Sequence, residues 1–120
     1  MIEIDTAMPG NILAAAAHGK VTAEDYEKVF IPAIEQKLKT HQKLRLLYQL
    51  GEDFSGYSLP AILKDAKVGI AHWSGFEKIA IVTDVNWVND AVKFFGAFIP
   101  CAVKTFPNTQ LAEAKAWIVE

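Results

Sequence analysis

Two mostly apolar runs, at residues 44–50 and 78–82, place the strongest constraint on how this chain folds. Each run contains branched or aromatic side chains that favour strands. Neither run has enough polar residues for one face of the strand to be fully exposed to solvent. The run at residues 44–50 is typical of a central strand that is mostly buried, and the run at residues 78–82 gives the clearest strand prediction in the chain. Helix-forming segments follow both runs, so the sequence predicts an α/β protein whose helices pack against a sheet.

The remaining segments complete an element order of β β α β α β α β α. Further strands are predicted at residues 2–4, 12–18 and 102–106, and helices at 23–39, 59–73, 85–98 and from 108 onward. Residues 51–57 are rich in glycine and acidic side chains and predict a loop. The first two strands would pair as a hairpin, and the later alternation implies a mixed sheet of about five strands. We therefore expect a single domain, residues 1–120, with four helices.

The first predicted helix has the clearest start signal. Thr22 is a favourable N-cap residue, and Asp25 stands three positions later, where a capping-box partner belongs. Val21 and Tyr26 are spaced for a hydrophobic staple across the helix start. Pro32 removes one backbone donor inside the helix, so an irregularity is predicted just before it, near residues 30–31.

Charge and cysteine content exclude several classes of protein. The chain has 120 residues, with 12 basic and 14 acidic side chains and a net charge of -2, so it lacks the positive charge that nucleic-acid binding needs. The single cysteine, Cys101, suits a reducing compartment. Glu3 and Asp5 stand where a secretion signal would be basic. We expect a cytoplasmic protein without a membrane-spanning segment, since no apolar stretch approaches about 20 residues.

The helices predicted at residues 59–73 and 85–98 are more apolar than one buried stripe requires. On a wheel of about 100° per residue, Trp87, Phe94 and Phe98 lie beside the core stripe and widen the apolar arc to roughly 160°. One interpretation is that these side chains complete the core or a homodimer interface. The other is that the two helices form the walls of an apolar pocket or a face that meets lipid.

Catalytic and metal-binding patterns are sparse. His18, His41 and His72 fall on three different predicted elements without a partner at metal-ligand spacing, so we expect no metal or other cofactor. Cys101 is interpreted as a buried, unreactive thiol. No nucleophile elbow or phosphate-binding glycine loop occurs, so no catalytic residue is assigned. An interfacial enzyme using His72 with Ser74 stays as an alternative.

Two serines follow the central run at residues 44–50. Ser55 and Ser58 precede the second predicted helix, where a phosphate would gain from free backbone donors and the helix dipole. Both are therefore candidate phosphorylation sites. For Ser58, a simple N-cap role is the alternative.

Four segments of the chain have a familiar layout: TAEDYE at residues 22–27, DFSGY at 53–57, FEKIAIVTD at 76–84 with Trp87 just beyond it, and VKTFP at 103–107 followed by EAKAWI at 113–118. Together they resemble the SpoIIAA-like family of small bacterial proteins, across essentially the whole chain. That family is similar in fold to CRAL-TRIO lipid carriers and to STAS domains. The first similarity implies a nonpolar ligand and transient docking on membranes. The second implies regulatory protein binding, controlled by a serine near the place of Ser55 or Ser58.

These observations lead to one principal hypothesis and one alternative. We expect a non-enzymatic carrier or sensor of a small nonpolar ligand, which associates with membrane surfaces in one state. Its pocket would be lined by Leu59, Ile62, Leu63, Ile70, Trp73, Trp87, Val88, Phe94, Phe95 and Phe98. The alternative is a STAS-type interaction module with a phosphorylation switch at Ser55 or Ser58.

Overall fold

The computed structural model describes residues 1–5, 8, 10–58, 75–96 and 101–120, with backbone only at residues 95 and 96. Its strands are β1 (Ile2–Asp5), β2 (Ile12–Val21), β3 (Leu44–Tyr57), β4 (Phe76–Thr83) and β5 (Ala102–Phe106). They lie side by side in chain order. β1 is antiparallel to β2, and the other neighbours are parallel. The predicted mixed five-stranded sheet is thus confirmed among the described residues.

Three helical segments accompany this sheet within the described part of the chain. Helix α1, residues 23–38, consists of an α-helical turn (Ala23–Asp25), a π-helical turn (Tyr26–Phe30) and an α-helix (Ile31–Leu38). Helix α2 is Asn86–Gly96, and a 3-10 turn (Asn108–Gln110) leads into helix α3 (Leu111–Val119). The helix predicted at residues 59–73 lies outside the described residues, as does the end of the one predicted to reach residue 98.

The start of α1 has the capping contacts that the sequence predicts. The Thr22 backbone N–H donates to Asp25 Oδ2 over 2.7 Å, and its hydroxyl lies 3.1 Å from the same oxygen. Burial of the Asp25 carboxyl tends to raise its pKa, but these hydrogen bonds and the nearby N-terminal ammonium hold the pKa below its ordinary value. Tyr26 and Val21 are both buried in the core beneath this turn.

The π-helical turn lies where Pro32 predicts an irregularity. Pro32 has no N–H to donate to the carbonyl four residues earlier, so the regular ladder is interrupted in this turn. The Ile31 N–H instead donates to the carbonyl of Tyr26, five residues back. Tyr26 and Phe30, at the two ends of the turn, both face the core.

The loop predicted at residues 51–57 is wrong, because β3 continues through this segment to Tyr57. After register shifts at Gly19, β2 pairs with it as Gly19 with Phe54 and Val21 with Tyr57. Gly19 has a φ of 58° and Gly56 a φ of 134°, conformations that favour glycine and permit this irregular pairing. Local composition indicated a turn, but pairing with β2 made the segment a strand.

The sheet separates two apolar clusters. We call the side covered by α1 and α2 the inner face; its cluster includes Leu46 and Tyr48 of β3, Ile34 of α1 and Val88 of α2. The outer face is covered by α3, whose Ala114 and Ile118 pack with Leu47, Ala80 and Val82. Alternate residues of one strand thus serve two separate cores.

Candidate ligand-binding face

The inner face of β4 is only partly covered. Ile79 and Ile81 pack against the inner cluster and remain half-buried. Their strand neighbours on the outer face, Ala80 and Val82, are both 0% exposed. The larger side chains of this central strand are therefore the more accessible ones, and the part of the chain that the structure describes covers the inner face of β4 incompletely.

Helix α2 presents two aromatic side chains to the surface. Val88 is 7% exposed and packs in the inner cluster, while Trp87 is 53% exposed and Phe94 is 66% exposed. Trp87 and Phe94 are seven residues apart, so they lie within about 20° of each other around the helix and about 10 Å apart along its axis. They form one apolar strip on the surface of α2.

Trp87 belongs to a network of rings that continues into the core. Its ring centroid lies 6.1 Å from that of Tyr57, with an interplanar angle of 76°. Tyr57 in turn contacts Phe54 edge-on at 5.1 Å and stacks on Tyr26 at 6.5 Å. Tyr26 lies 5.5 Å from Phe30, and Phe30 meets Tyr48 edge-on at 5.3 Å. Tyr57 therefore contacts the strip directly, and the other two tyrosines are linked to it through the buried rings.

The ligand-contacting residues predicted from the sequence fall into three groups. Trp87 and Phe94 lie together on the exposed strip, and Val88 points into the core beside them. Phe95 is in α2, but its side chain is outside the described part. Outside the described residues lie Leu59, Ile62, Leu63, Ile70, Trp73 and Phe98. The predicted pocket between two helices is therefore described along α2 alone.

Sequence reasoning missed four residues of this face. Phe54 and Tyr57 fall in the segment predicted as a loop, and Ile79 and Ile81 lie in a strand that the sequence predicts without linking it to a binding face. The alternation of small and large side chains along residues 79–82 was a usable signal, because the two faces of a strand carry alternate residues. No sequence signal showed that the face with the larger side chains would stay open.

A polar cleft on another side of α2 differs from the predicted apolar pocket. It has a volume of about 570 Å³ and lies between the ends of β4 and β5 and the polar face of the helix. Its lining includes Asn86, Asn89, Asp90 and Lys93. An apolar ligand would gain little from these groups.

The other sequence candidates are occupied by local contacts. His18 Nδ1 lies 2.8 Å from Asp53 Oδ2, and His18 Nε2 lies 3.5 Å from Glu3 Oε2. Burial raises the pKa of the Cys101 thiol, an effect that Lys43 partly opposes, and this favours the unreactive protonated form. His72 lies outside the described residues. Within the ranges described, no group of three His, Cys, Asp or Glu side chains is arranged to hold a metal ion.

Comparison with known families identifies the fold. A family model described as SpoIIAA-like matches residues 12–119. The chain belongs to this family. The crystal structure of an uncharacterized protein from Shewanella loihica PV-4 with a SpoIIAA-like fold is similar to it, with a TM-score of 0.79 and 28% identity over 98% of this chain and 92% of that chain. No curated protein matches the sequence.

The family assignment confirms the predicted resemblance and, with the sheet, the predicted fold class. For function, the SpoIIAA-like fold gives coarse support to a regulatory interaction module. Among the described residues, no helix combines the length and apolar character needed to span a membrane.

The two serines predicted as phosphorylation sites have different surroundings in the SpoIIAA-like domain. Ser55 is exposed within β3 and is therefore not at the mouth of a helix. Ser58 directly follows β3, is half-buried, and donates its backbone N–H to the Val21 carbonyl over 2.9 Å. Phosphorylation at either position stays a prediction.

Proposed function

We propose that this SpoIIAA-like domain is a non-enzymatic binding protein for a small nonpolar molecule. The ligand would lie against the inner face, where β4 and α2 meet. The observation that carries the proposal is the accessible apolar strip of Trp87 and Phe94 on α2, the helix whose Val88 packs in the same inner cluster as the half-buried Ile79 and Ile81.

The energetic argument rests on apolar area that the described fold leaves accessible. Complete burial of a large apolar side chain stabilises by about 1.5–3 kcal/mol, and much of that gain is unrealised at Trp87 and Phe94. A nonpolar molecule that covers both rings would recover part of it. The edge-on contact with Tyr57 restricts the orientation of the Trp87 ring before a ligand binds. Less conformational entropy of this side chain is therefore lost on binding.

The same strip also suits brief contact with a membrane surface. A carrier of nonpolar molecules must take them from lipid and return them to it, and exposed aromatic side chains favour the membrane interface. Lys93, which is exposed beside Phe94, would meet anionic headgroups there. In this proposal the strip faces either the ligand or the membrane.

The test compares the wild-type protein with two variants, each purified from the source organism. Native mass spectrometry followed by solvent extraction is expected to find an apolar molecule on the wild type. The double variant Trp87→Ser and Phe94→Ser should lose it. Val119→Ser is the matched control, because Val119 is 55% exposed on α3 over the outer face, and should retain it.

Two results would contradict the proposal. One is a wild-type protein that carries no apolar molecule and does not float with phosphatidylglycerol vesicles. The other is a dimer that breaks into monomers in the double variant, which would mean that the strip meets a second copy of the chain.

A second candidate function is a STAS-type regulatory interaction module. The position of Ser58 favours it, since this serine follows a central strand and lies beside the end of β2. A Ser58→Asp change is expected to alter capture of a protein partner from host extract severalfold, while Ser58→Asn, which has a similar size and no charge, leaves capture unchanged. Equal capture by both variants and the wild type would contradict this function.

A further inference from the structure

The accessible strip of α2 consists of aromatic side chains, and so does the network of rings behind Trp87. From this composition we infer that the ligand is a flat molecule with fused aromatic or conjugated rings, in preference to a saturated hydrocarbon chain. The inference depends on the proposed function, because it names the chemical class of ligand for the same face.

The ring geometry gives the face flat and well-fixed walls. Trp87 stands at 76° to Tyr57, and Phe54 stands at 64° to the same ring. Tyr26, which is fully buried, stacks behind Tyr57 with an interplanar angle of 28°. Each ring thus limits the tilt of the next. Flexible aliphatic side chains adapt to a bent chain, whereas a fixed set of ring faces and edges best fits another plane.

Ring–ring contacts also discriminate between ligands of equal size. An aromatic pair gains attraction between ring face and ring edge beyond its buried area, which corresponds to about a two- to twelvefold difference in affinity. A saturated molecule of the same shape obtains the area term alone. Trp87 is the most accessible ring of the connected network and would supply most of this difference.

The spacing of the two exposed residues along α2 indicates the size of the ligand. Trp87 and Phe94 lie about 10 Å apart along α2, so a molecule that contacts both must be longer than one six-membered ring. Fused rings meet this requirement while remaining flat.

The experiment uses two probes that share the same carbon skeleton and the same negative charge. They are naphthalene-2-carboxylate and its saturated analogue, decahydronaphthalene-2-carboxylate. Their affinities are measured by calorimetry and corrected for each probe's own partition between water and hydrocarbon. The wild type is expected to bind the aromatic probe about two- to twelvefold more tightly than the saturated one. Trp87→Leu should reduce this ratio to near one and change the affinity for the saturated probe less than twofold. Val119→Ala is the control and should keep the wild-type ratio.

The outcomes separate this inference from the proposed function. Equal corrected affinities for both probes would overturn the inference and leave an apolar binding site in place. Failure of the wild type to bind either probe would overturn the proposed binding face itself, and the inference with it. A preference that survives in Trp87→Leu would show that the rings of this network do not select the ligand.

Discussion

The two faces of β4 are covered to very different extents. On the outer face, Ala80 and Val82 are fully buried beneath Ala114 and Ile118 of α3. On the inner face, the larger Ile79 and Ile81 are only half-buried, although the strand is a central one. Side-chain hydrophobicity therefore does not decide which face closes. The helix that covers each face decides it.

Helix α3 is held firmly because polar groups fix its C-terminal end. The Arg45 guanidinium donates to the Ile118 carbonyl over 2.9 Å, and Lys78 Nζ donates to the Trp117 carbonyl over the same distance. Lys78 also lies 4.6 Å from the centroid of the Trp117 ring. Cations at a helix C-terminus satisfy its free carbonyls and interact favourably with the helix dipole.

The approach to α3 is fixed as well, through Asn108. Its backbone N–H donates to Asp84 Oδ1 over 3.0 Å, and its side-chain amide donates to the Leu50 carbonyl over 3.1 Å. Gln49 donates to the Asn108 side-chain oxygen over 3.2 Å. Contacts at both ends thus align the apolar side of α3 with the outer face of the sheet.

The largest expected effect on stability is at the closed face. Ile118→Ala removes a fully buried side chain and should lower the free energy of unfolding by about 2–5 kcal/mol. Val119→Ala, at the adjacent exposed position, should change it by less than about 0.5 kcal/mol. Urea unfolding followed by circular dichroism measures both values. Equal effects would mean that α3 does not close the outer face as described.

A smaller, pH-dependent effect on stability is expected at Glu77, which forms an ion pair with Arg45. Glu77 Oε1 accepts hydrogen bonds from Arg45 Nε at 2.9 Å and from Asn11 Nδ2 at 2.7 Å. Hydrogen bonding to Arg45 and to Asn11 lowers the pKa of Glu77 below its ordinary value of 4.5, although burial opposes the shift. As the pH falls, the Glu77 carboxylate therefore becomes protonated at a higher pH in the unfolded chain than in the folded protein. The stability contributed by Glu77 is present above its unfolded pKa and is lost as the pH falls through its folded pKa.

Glu77→Gln tests this contribution. At about pH 7 the variant should be less stable than the wild type by up to about 1 kcal/mol, since the pair is partly exposed. The difference should shrink as the solution is acidified below the ordinary glutamate pKa. Urea midpoints measured across this range give the answer, and a difference independent of pH would contradict the role of the charged carboxylate.

A small effect on stability is also expected at the open face. Trp87→Ser and Phe94→Ser should each lower the free energy of unfolding by about 1 kcal/mol or less, because both side chains are more than half exposed and Trp87 loses its edge-on contact with Tyr57. The same urea measurement applies. A loss comparable to that of Ile118→Ala would show that these rings belong to the core and would remove the contrast between the faces.

Much of the fold was predictable because strand and helix signals are local. The strand at residues 102–106 agrees fully with β5, and the central runs and the Thr22 cap are where the sequence indicates. The error at residues 51–57 arose because glycines and acidic residues usually form turns, whereas here β2 offered a partner strand. For the candidate site, helical spacing correctly placed Trp87 and Phe94 outside the core stripe of α2. It gave no sign that Phe54 and Tyr57 would support them.

By itself, the sequence determined the α/β class, the order of the strands and helices in the described residues, and the excess of apolar side chains on α2. Each of these follows from residue type and spacing along a few turns or strands, which is information that the chain carries locally. Only the tertiary structure decided that, among the described residues, the outer face of β4 is covered more completely than its inner face, and that Tyr57 meets Trp87. Those properties depend on which distant segments come together and on how far a helix reaches across a sheet, and neither is encoded in a single segment.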